Sequence, residues 1–258
     1  MAQTLKRIDA GGIQVAALYP RRNAKDVPRS RQAKFQASSA AQRRMNQINS
    51  VQQLELRLAA NFPTAGSGLV VTLTHDDDHM PKNRRGAQLH FKYFLEKLRQ
   101  ARRRADLPEP VVFWAPEILT SESGRWHHHI ALDNTGQDYE IIRDCWIYGS
   151  DVEIRKLRVD AEKNHETLAM YMTKELRECQ EYEAKAGLHG WSCTRNAKKP
   201  EVETIIVPDD FELVPPEGST VLLDEKRTTE WASYRIIKYR FDGKRLTPVP
   251  RARRRRRR

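Results

Sequence analysis

Two short apolar runs constrain this chain more than any other feature. VVFWAPEI (111–118) and RWHHHIAL (125–132) are rich in β-branched and aromatic residues, and only LTSESG separates them. Runs of this kind bounded by small polar residues read as strands, and two so close together read as a hairpin. Side chains on a strand alternate between its faces. His127 and His129 therefore share one face, and His128 takes the other. Three adjacent histidines reduce to a His-x-His pair and a bystander.

A hairpin needs further strands and a cover. LVVTLTH (69–75) reads as a buried strand and DVEIRKLRV (151–159) alternates, while VETIIVP (202–208) and YRIIKYRF (234–241) are late strand candidates with a loop rich in Pro and acid between them. Helical spacing of Met45, Ile48, Val51, Leu54 and Leu58 predicts a long helix over 34–60. A second helix, 87–105, has an apolar face of Leu89, Phe94, Leu95 and Leu98 and a basic end of Arg99 and Arg102–Arg104. A third runs from His165 to Gly187, its stop signal. YEIIRDCWIYG (139–149) fits a helix or a strand. This order predicts an α+β fold: an antiparallel sheet with helices packed on one face, plus an N-terminal helical extension. The expected divisions are a basic arm and amphipathic helix (1–62, loose through residue 33), a main domain (63–215), a C-terminal strand extension (216–250) and a disordered Arg-rich tail (251–258).

Charge narrows the partners. The net charge is +12 over 258 residues, and its placement is uneven. Residues 1–62 hold eleven basic and three acidic side chains, and the last eight hold seven arginines, which leaves 63–250 at −3. A basic surface of this size points to a polyanion, and a like-charged block stays solvated until it meets one. Cys145, Cys179 and Cys193 are widely spaced with no CxxC, which argues for a reducing compartment and against a disulfide framework or a cysteine zinc site. IQVAALY (13–19) is too short for a signal-peptide core, and no apolar run approaches the roughly 20 residues of a membrane span. A soluble, cytoplasmic protein with no membrane partner is expected.

Two imidazoles from one strand can chelate a divalent ion if a third ligand arrives from elsewhere. Glu117, on the preceding strand, is the first candidate, with Asp133 and Asp76–Asp78 as rivals. Glu117 qualifies only if the hairpin register puts it on the face of His127 and His129, since a one-residue slip reverses its face. The alternative is a set of partly exposed strand histidines with no metal. YMTKEL (171–176) adds a second element. Leu168, Met172, Leu176 and Cys179 form the apolar stripe of its helix, and Tyr171 falls on the border of that stripe. Lys174 follows at i+3, a neighbour on the same edge. Phenols ionise near pH 10, so one acts as a nucleophile at neutral pH only beside a cation. The bland reading is an amphipathic tyrosine beside a solvated lysine.

VVTLTH, WAPEILTSESGRWHHHIAL and YMTKEL occur in an order and spacing that resembles the HUH endonucleases, and more narrowly the rolling-circle replication initiators of phages, plasmids and integrative elements. The resemblance covers roughly 45–215. NFPTAGSGLVVTLTH is similar to the family's first motif and its lead-in, RWHHHIAL to the His-hydrophobe-His motif, and YMTKEL to the Tyr-x-x-Lys motif. WSCTRNAKKPE (191–201) is similar to a basic segment after the catalytic helix. His128 departs from the hydrophobe of the second motif, and His75 from the aromatic or apolar residue of the first.

The resemblance implies a ferredoxin-like or RRM-like sheet with the histidines on a central strand. It implies Tyr171 as the single nucleophile on single-stranded DNA at an origin, giving a 3′-OH and a 5′-phosphotyrosine, with Lys174 assisting. His127, His129 and Glu117 would hold Mg²⁺ or Mn²⁺. Tyr182, eleven residues on, is too distant to share the site. Arg195, Lys198, Lys199 and Arg102–Arg104 are the expected phosphate contacts, and Trp191 is expected in the core rather than on a base. No GxxxxGK[ST] is present, so strand separation would fall to a host helicase and replication proteins in a bacterial cell. The competing classes are a non-enzymatic nucleic-acid-binding protein and a metal-dependent nuclease that uses water.

Overall fold

The computed structural model describes residues 2–20, 40–117, 124–161, 164–174, 190–228 and 233–241. The chain divides into two compact units, residues 1–23 with 201–258, and residues 24–200. Each is built on a five-stranded antiparallel sheet, so the α+β expectation is met.

The larger unit holds β3 (Gly68–Thr74), β4 (Val112–Glu117), β5 (His127–Asp133), β6 (Val152–Lys156) and β7 (Ser192–Cys193) in the order β6-β3-β5-β4-β7. Its helices are α1 (Ala40–Asn61), α2 (Arg84–Arg104), α3 (Asp138–Cys145) and α4 (Glu166–Met172). Strand alternation gives this sheet two apolar faces. Leu69, Val71, Leu73, Ile130 and Leu132 pack with Phe91, Phe94, Leu95 and Leu98 of α2 and Ile142 of α3. Phe113, Ala115 and Ala131 pack with Leu54 and Leu58 of α1 and Ala169 and Met172 of α4. Helices therefore cover both faces, not one. The 34–60 helix is part of this unit rather than an extension, because its buried stripe ends on Phe62, which meets Phe113 edge-on at 5.8 Å.

Two glycines permit close approaches that place the site. A Cβ at Gly149 would overlap the Thr74 carbonyl oxygen, and one at Gly68 would stand 2.9 Å from that of Leu132. The chain after α3 can thus lie directly against the end of β3, where Trp146 Nε1 also donates to the Thr74 carbonyl at 3.1 Å.

In the smaller unit β1 (Gln3–Asp9), β2 (Ile13–Pro20), β8 (Glu201–Val207), β9 (Ser219–Thr228) and β10 (Ser233–Phe241) follow the order β8-β1-β2-β10-β9. This corrects two expectations. Residues 3–20 are a hairpin rather than a loose arm, turned at Gly11 with φ +84°, and β9 occupies the acidic segment read as a loop. Both were hidden because Leu5, Ala16 and Leu18 suffice for a core with Val207, Ile237 and Tyr239, which leaves mixed polarity elsewhere. The Arg-rich tail and the end of the third helix lie outside the described residues.

Candidate active site

The hairpin register settles the parity condition on Glu117. In β4 and β5, Glu117 pairs directly with His127, Pro116 with His128 and Ala115 with His129. On the other side of β5, Thr74 pairs with His127 and Thr72 with His129. Directly paired residues share a face. Thr74, His127 and Glu117 thus form one row across three strands, and Thr72, His129 and Ala115 form the next. Both rows lie on the α1/α4 face, while His128 lies on the α2/α3 face.

The polar contacts follow these rows. Thr74 Oγ1 and His127 Nδ1 are 3.0 Å apart. Glu117 Oε2 contacts His129 Nε2, and Glu117 Oε1 meets Lys174 Nζ at 2.7 Å. The His127 and His129 rings are parallel within 4° at 6.5 Å. Glu117 and His129 are each 3% exposed. A carboxylate so buried requires a charged or hydrogen-bonded partner, and Lys174 and His129 supply both. Burial holds His127 below the usual histidine range, and the Glu117 charge opposes that shift only in part. It is therefore neutral at pH 7, the form that binds a cation.

Helix α4 brings the tyrosine to this row. Its buried Ala169 and Met172 seat the helix on the sheet beside Leu54, Leu58 and Ala115. His165 Nε2 donates to the Phe62 carbonyl at 2.8 Å, which pins the start of α4 to the end of α1. Tyr171, at the stripe's border, is left 43% exposed. Its ring centroid is 4.6 Å from that of His129, and Lys174 Nζ is 5.2 Å from the Tyr171 centroid. Five residues from three elements, His127, His129, Glu117, Tyr171 and Lys174, are gathered on one face.

The donor types suit a divalent ion completed by phosphate and water oxygens. As the side chains stand, Glu117 is engaged by His129 and Lys174 and His127 by Thr74. No group of three or more His, Cys, Asp or Glu among the described residues converges to hold a metal. The rival ligands are committed elsewhere: Asp133 to Arg102 at 2.8 Å, Asp76 to His79 at 2.7 Å and Asp77 to Arg125 at 2.8 Å.

Other expected positions divide. Arg195, Lys198 and Lys199 are exposed, and Asn61 holds the backbone of Lys198 through bonds of 2.9 and 3.0 Å. Trp191 packs near Phe113 and donates to Ser50, as core packing requires. Arg102 corrects the expectation of a phosphate contact. It is fully buried between Asp138 and Asp133, because positions 91, 95, 98 and 102 form one helical stripe. Leu89, assigned to that stripe, is 49% exposed, and Phe91 takes its place. Tyr182, Leu176 and Cys179 lie outside the described residues. Sequence reasoning missed Thr74 and His165. Thr74 has no signal without the register, whereas His165 stands at the N-cap of α4.

Residues 68–176 match a family model described as a replication-associated protein of the ORF2 type. The matched stretch opens with β3 and includes all five residues gathered above. No curated protein and no solved structure matches the chain. The family match supports a replication-associated protein of the Rep initiator type.

Proposed function

We propose that this protein nicks and rejoins single-stranded DNA at a replication origin, starting rolling-circle replication as an HUH-type endonuclease. The observation that carries the reading is the placement of Tyr171 against His129, with Lys174 bridging back to Glu117. A half-exposed phenol beside a buried His-x-His pair and an ammonium is what covalent phosphoryl transfer requires of a protein.

Tyr171 Oη attacks a backbone phosphorus and forms a tyrosyl–phosphate bond as the P–O3′ bond breaks. The phenol gives up its proton, and the departing 3′ oxygen takes one up. The 5′-phosphotyrosine conserves the phosphodiester bond energy, so a later 3′-OH reverses the step without ATP. Lys174 favours negative charge on the phenol oxygen as it attacks and offsets charge on the phosphate. His127, His129 and Glu117 would hold Mg²⁺ or Mn²⁺, with Glu117 exchanging its present contacts for the cation. When bound, such an ion polarises the scissile phosphate and neutralises charge developing on it. Thr74 fixes the His127 ring through Nδ1, the role that outer partners of ligating histidines play. Arg195, Lys198 and Lys199 supply sequence-independent contacts to the strand.

The test is to incubate the protein with end-labelled single-stranded DNA of its replicon and Mn²⁺, then resolve covalent adducts under denaturing conditions. An adduct that is lost in Tyr171→Phe supports the reading. Cleavage without an adduct, indifferent to Tyr171→Phe, points to a nuclease that uses water. Binding without cleavage points to a non-enzymatic DNA-binding protein.

A further inference from the structure

The α2/α3 face of the same sheet carries a second constellation that nicking does not use. A groove of about 520 Å³ opens between the loop before α2, the first turns of α2 and Tyr148. That volume is in the range of sites that hold small organic ligands. Lys82 and Arg85 stand exposed on its lining, and neither has an ion-pair or hydrogen-bond partner among the described residues. Asp78 is the one carboxylate lining it. Its aromatic wall is His90 stacked on Tyr148, with ring centroids 3.9 Å apart and planes within 5°. Leu89 continues the lining at 49% exposed, and Tyr93, one turn on, is 64% exposed.

The hydrogen bonds behind this wall fix what His90 offers. The Trp126 carbonyl accepts from both the backbone N–H and ring Nδ1 of His75, at 3.0 and 3.1 Å. A carbonyl only accepts, so His75 carries its ring proton on Nδ1 and its Nε2 is an acceptor. His75 Nε2 lies 3.1 Å from His90 Nδ1, so His90 must donate there. Neutral His90 then keeps Nε2 as an acceptor for a ligand's N–H group. His75, the unexplained residue of the first motif, thus sets the tautomer of the groove's histidine. It also ties the wall to the residue preceding His127.

Unpaired cations beside stacked rings and a defined acceptor match phosphate, base face and base edge in turn. We propose that this groove binds one unpaired nucleotide of a single-stranded DNA, with its phosphates on Lys82 and Arg85 and its base against the His90–Tyr148 wall. It is a binding site on the opposite face of the sheet from Tyr171. The inference rests on single-stranded DNA as the partner, but not on the tyrosine chemistry.

The test separates the two. Binding of a fluorescent mixed-sequence 20-nucleotide single strand is followed by anisotropy in EDTA, with Tyr171→Phe as the parent so that no covalent step intervenes. Lys82→Ala/Arg85→Ala, at exposed positions that leave the core intact, should weaken binding about tenfold. It should also lower the slope of log K against log salt by about 1.4, two phosphates at about 0.7 each. A strand carrying 5-bromodeoxyuridine should crosslink to the peptides that contain His90 or Tyr148. An unchanged affinity and slope, or crosslinks confined to the α4 side, overturns the inference. So does an equal loss for duplex DNA. If the groove variant binds normally while the Tyr171 adduct still forms, this inference fails and the nicking reading stands. If no adduct forms but the groove variant loses binding, the opposite holds.

Discussion

His128 offers the sharpest check on the face assignment, because its neighbours in sequence are the two histidines of the proposed site. It is fully buried and packs against Phe91 at 5.2 Å, His75 at 5.3 Å and Trp146 at 5.8 Å. Neither of its ring nitrogens has a hydrogen-bond partner. Truncating a buried aromatic ring to alanine costs about 3–5 kcal/mol through lost contacts and a residual cavity. Removing a ring whose polar atoms are already unsatisfied returns about 1–2 kcal/mol of that. His128→Ala should therefore destabilise by about 2 kcal/mol, a fall of about 4–8 °C in Tm for a unit of this size. His128→Phe fills the space without the unsatisfied nitrogens, and its stability should stay within about 1 kcal/mol of the parent. Scanning calorimetry and the adduct assay are run on both, alongside His129→Ala. His128→Phe should nick at close to the parent rate, while His129→Ala should lose at least about a hundredfold. If a folded His128→Phe is as inactive as His129→Ala, the separation of the faces is wrong.

Further outcomes follow from the same contacts. Burial holds His75 down to about 4 and His128 well below the usual histidine range, so the native state refuses protons that the unfolded chain accepts. Stability should be full above about pH 6.5 and fall as the pH drops toward 4, and a denaturant series should show His128→Phe flattening that slope. Arg102→Ala leaves the fully buried Asp138 without its guanidinium and should cost about 3–5 kcal/mol by urea unfolding; Arg102→Lys should recover little, since a single ammonium cannot reproduce the fork. Glu117→Gln should retain the fold and weaken Mn²⁺ binding about 10-fold or more by isothermal titration. Replacing Arg195, Lys198 and Lys199 together should reduce the salt dependence of DNA binding while sparing thermal stability, because all three are exposed.

The features legible in the sequence were those set by short-range periodicity. Alternation alone separated His127 and His129 from His128, and the helical stripe alone put Tyr171 on a border. The register of Glu117 was not legible, because LTSESG does not fix a turn type and one residue of slip reverses the face. What His128 and His75 do was also invisible. A histidine in a core differs from one in a site only by what stands opposite, and that depends on Phe91, His90 and Trp146 from other elements. Arg102 could have been found. It falls on the stripe of Phe91, Leu95 and Leu98, and a buried position occupied by arginine calls for two acids nearby. The terminal hairpin of β1 and β2 was missed because its strands are short and mixed in polarity, and only Gly11 and Gly12 marked the turn.

The central claim is that Tyr171 is the nucleophile. The direct measurement is mass spectrometry of peptides from protein reacted with single-stranded DNA of its replicon, after nuclease trimming of the adduct. The account predicts a nucleotide mass on the peptide containing Tyr171, present with Mn²⁺, absent with EDTA and absent in Tyr171→Phe. A nucleotide mass on a different residue, or nicked DNA with no modified peptide, would contradict it.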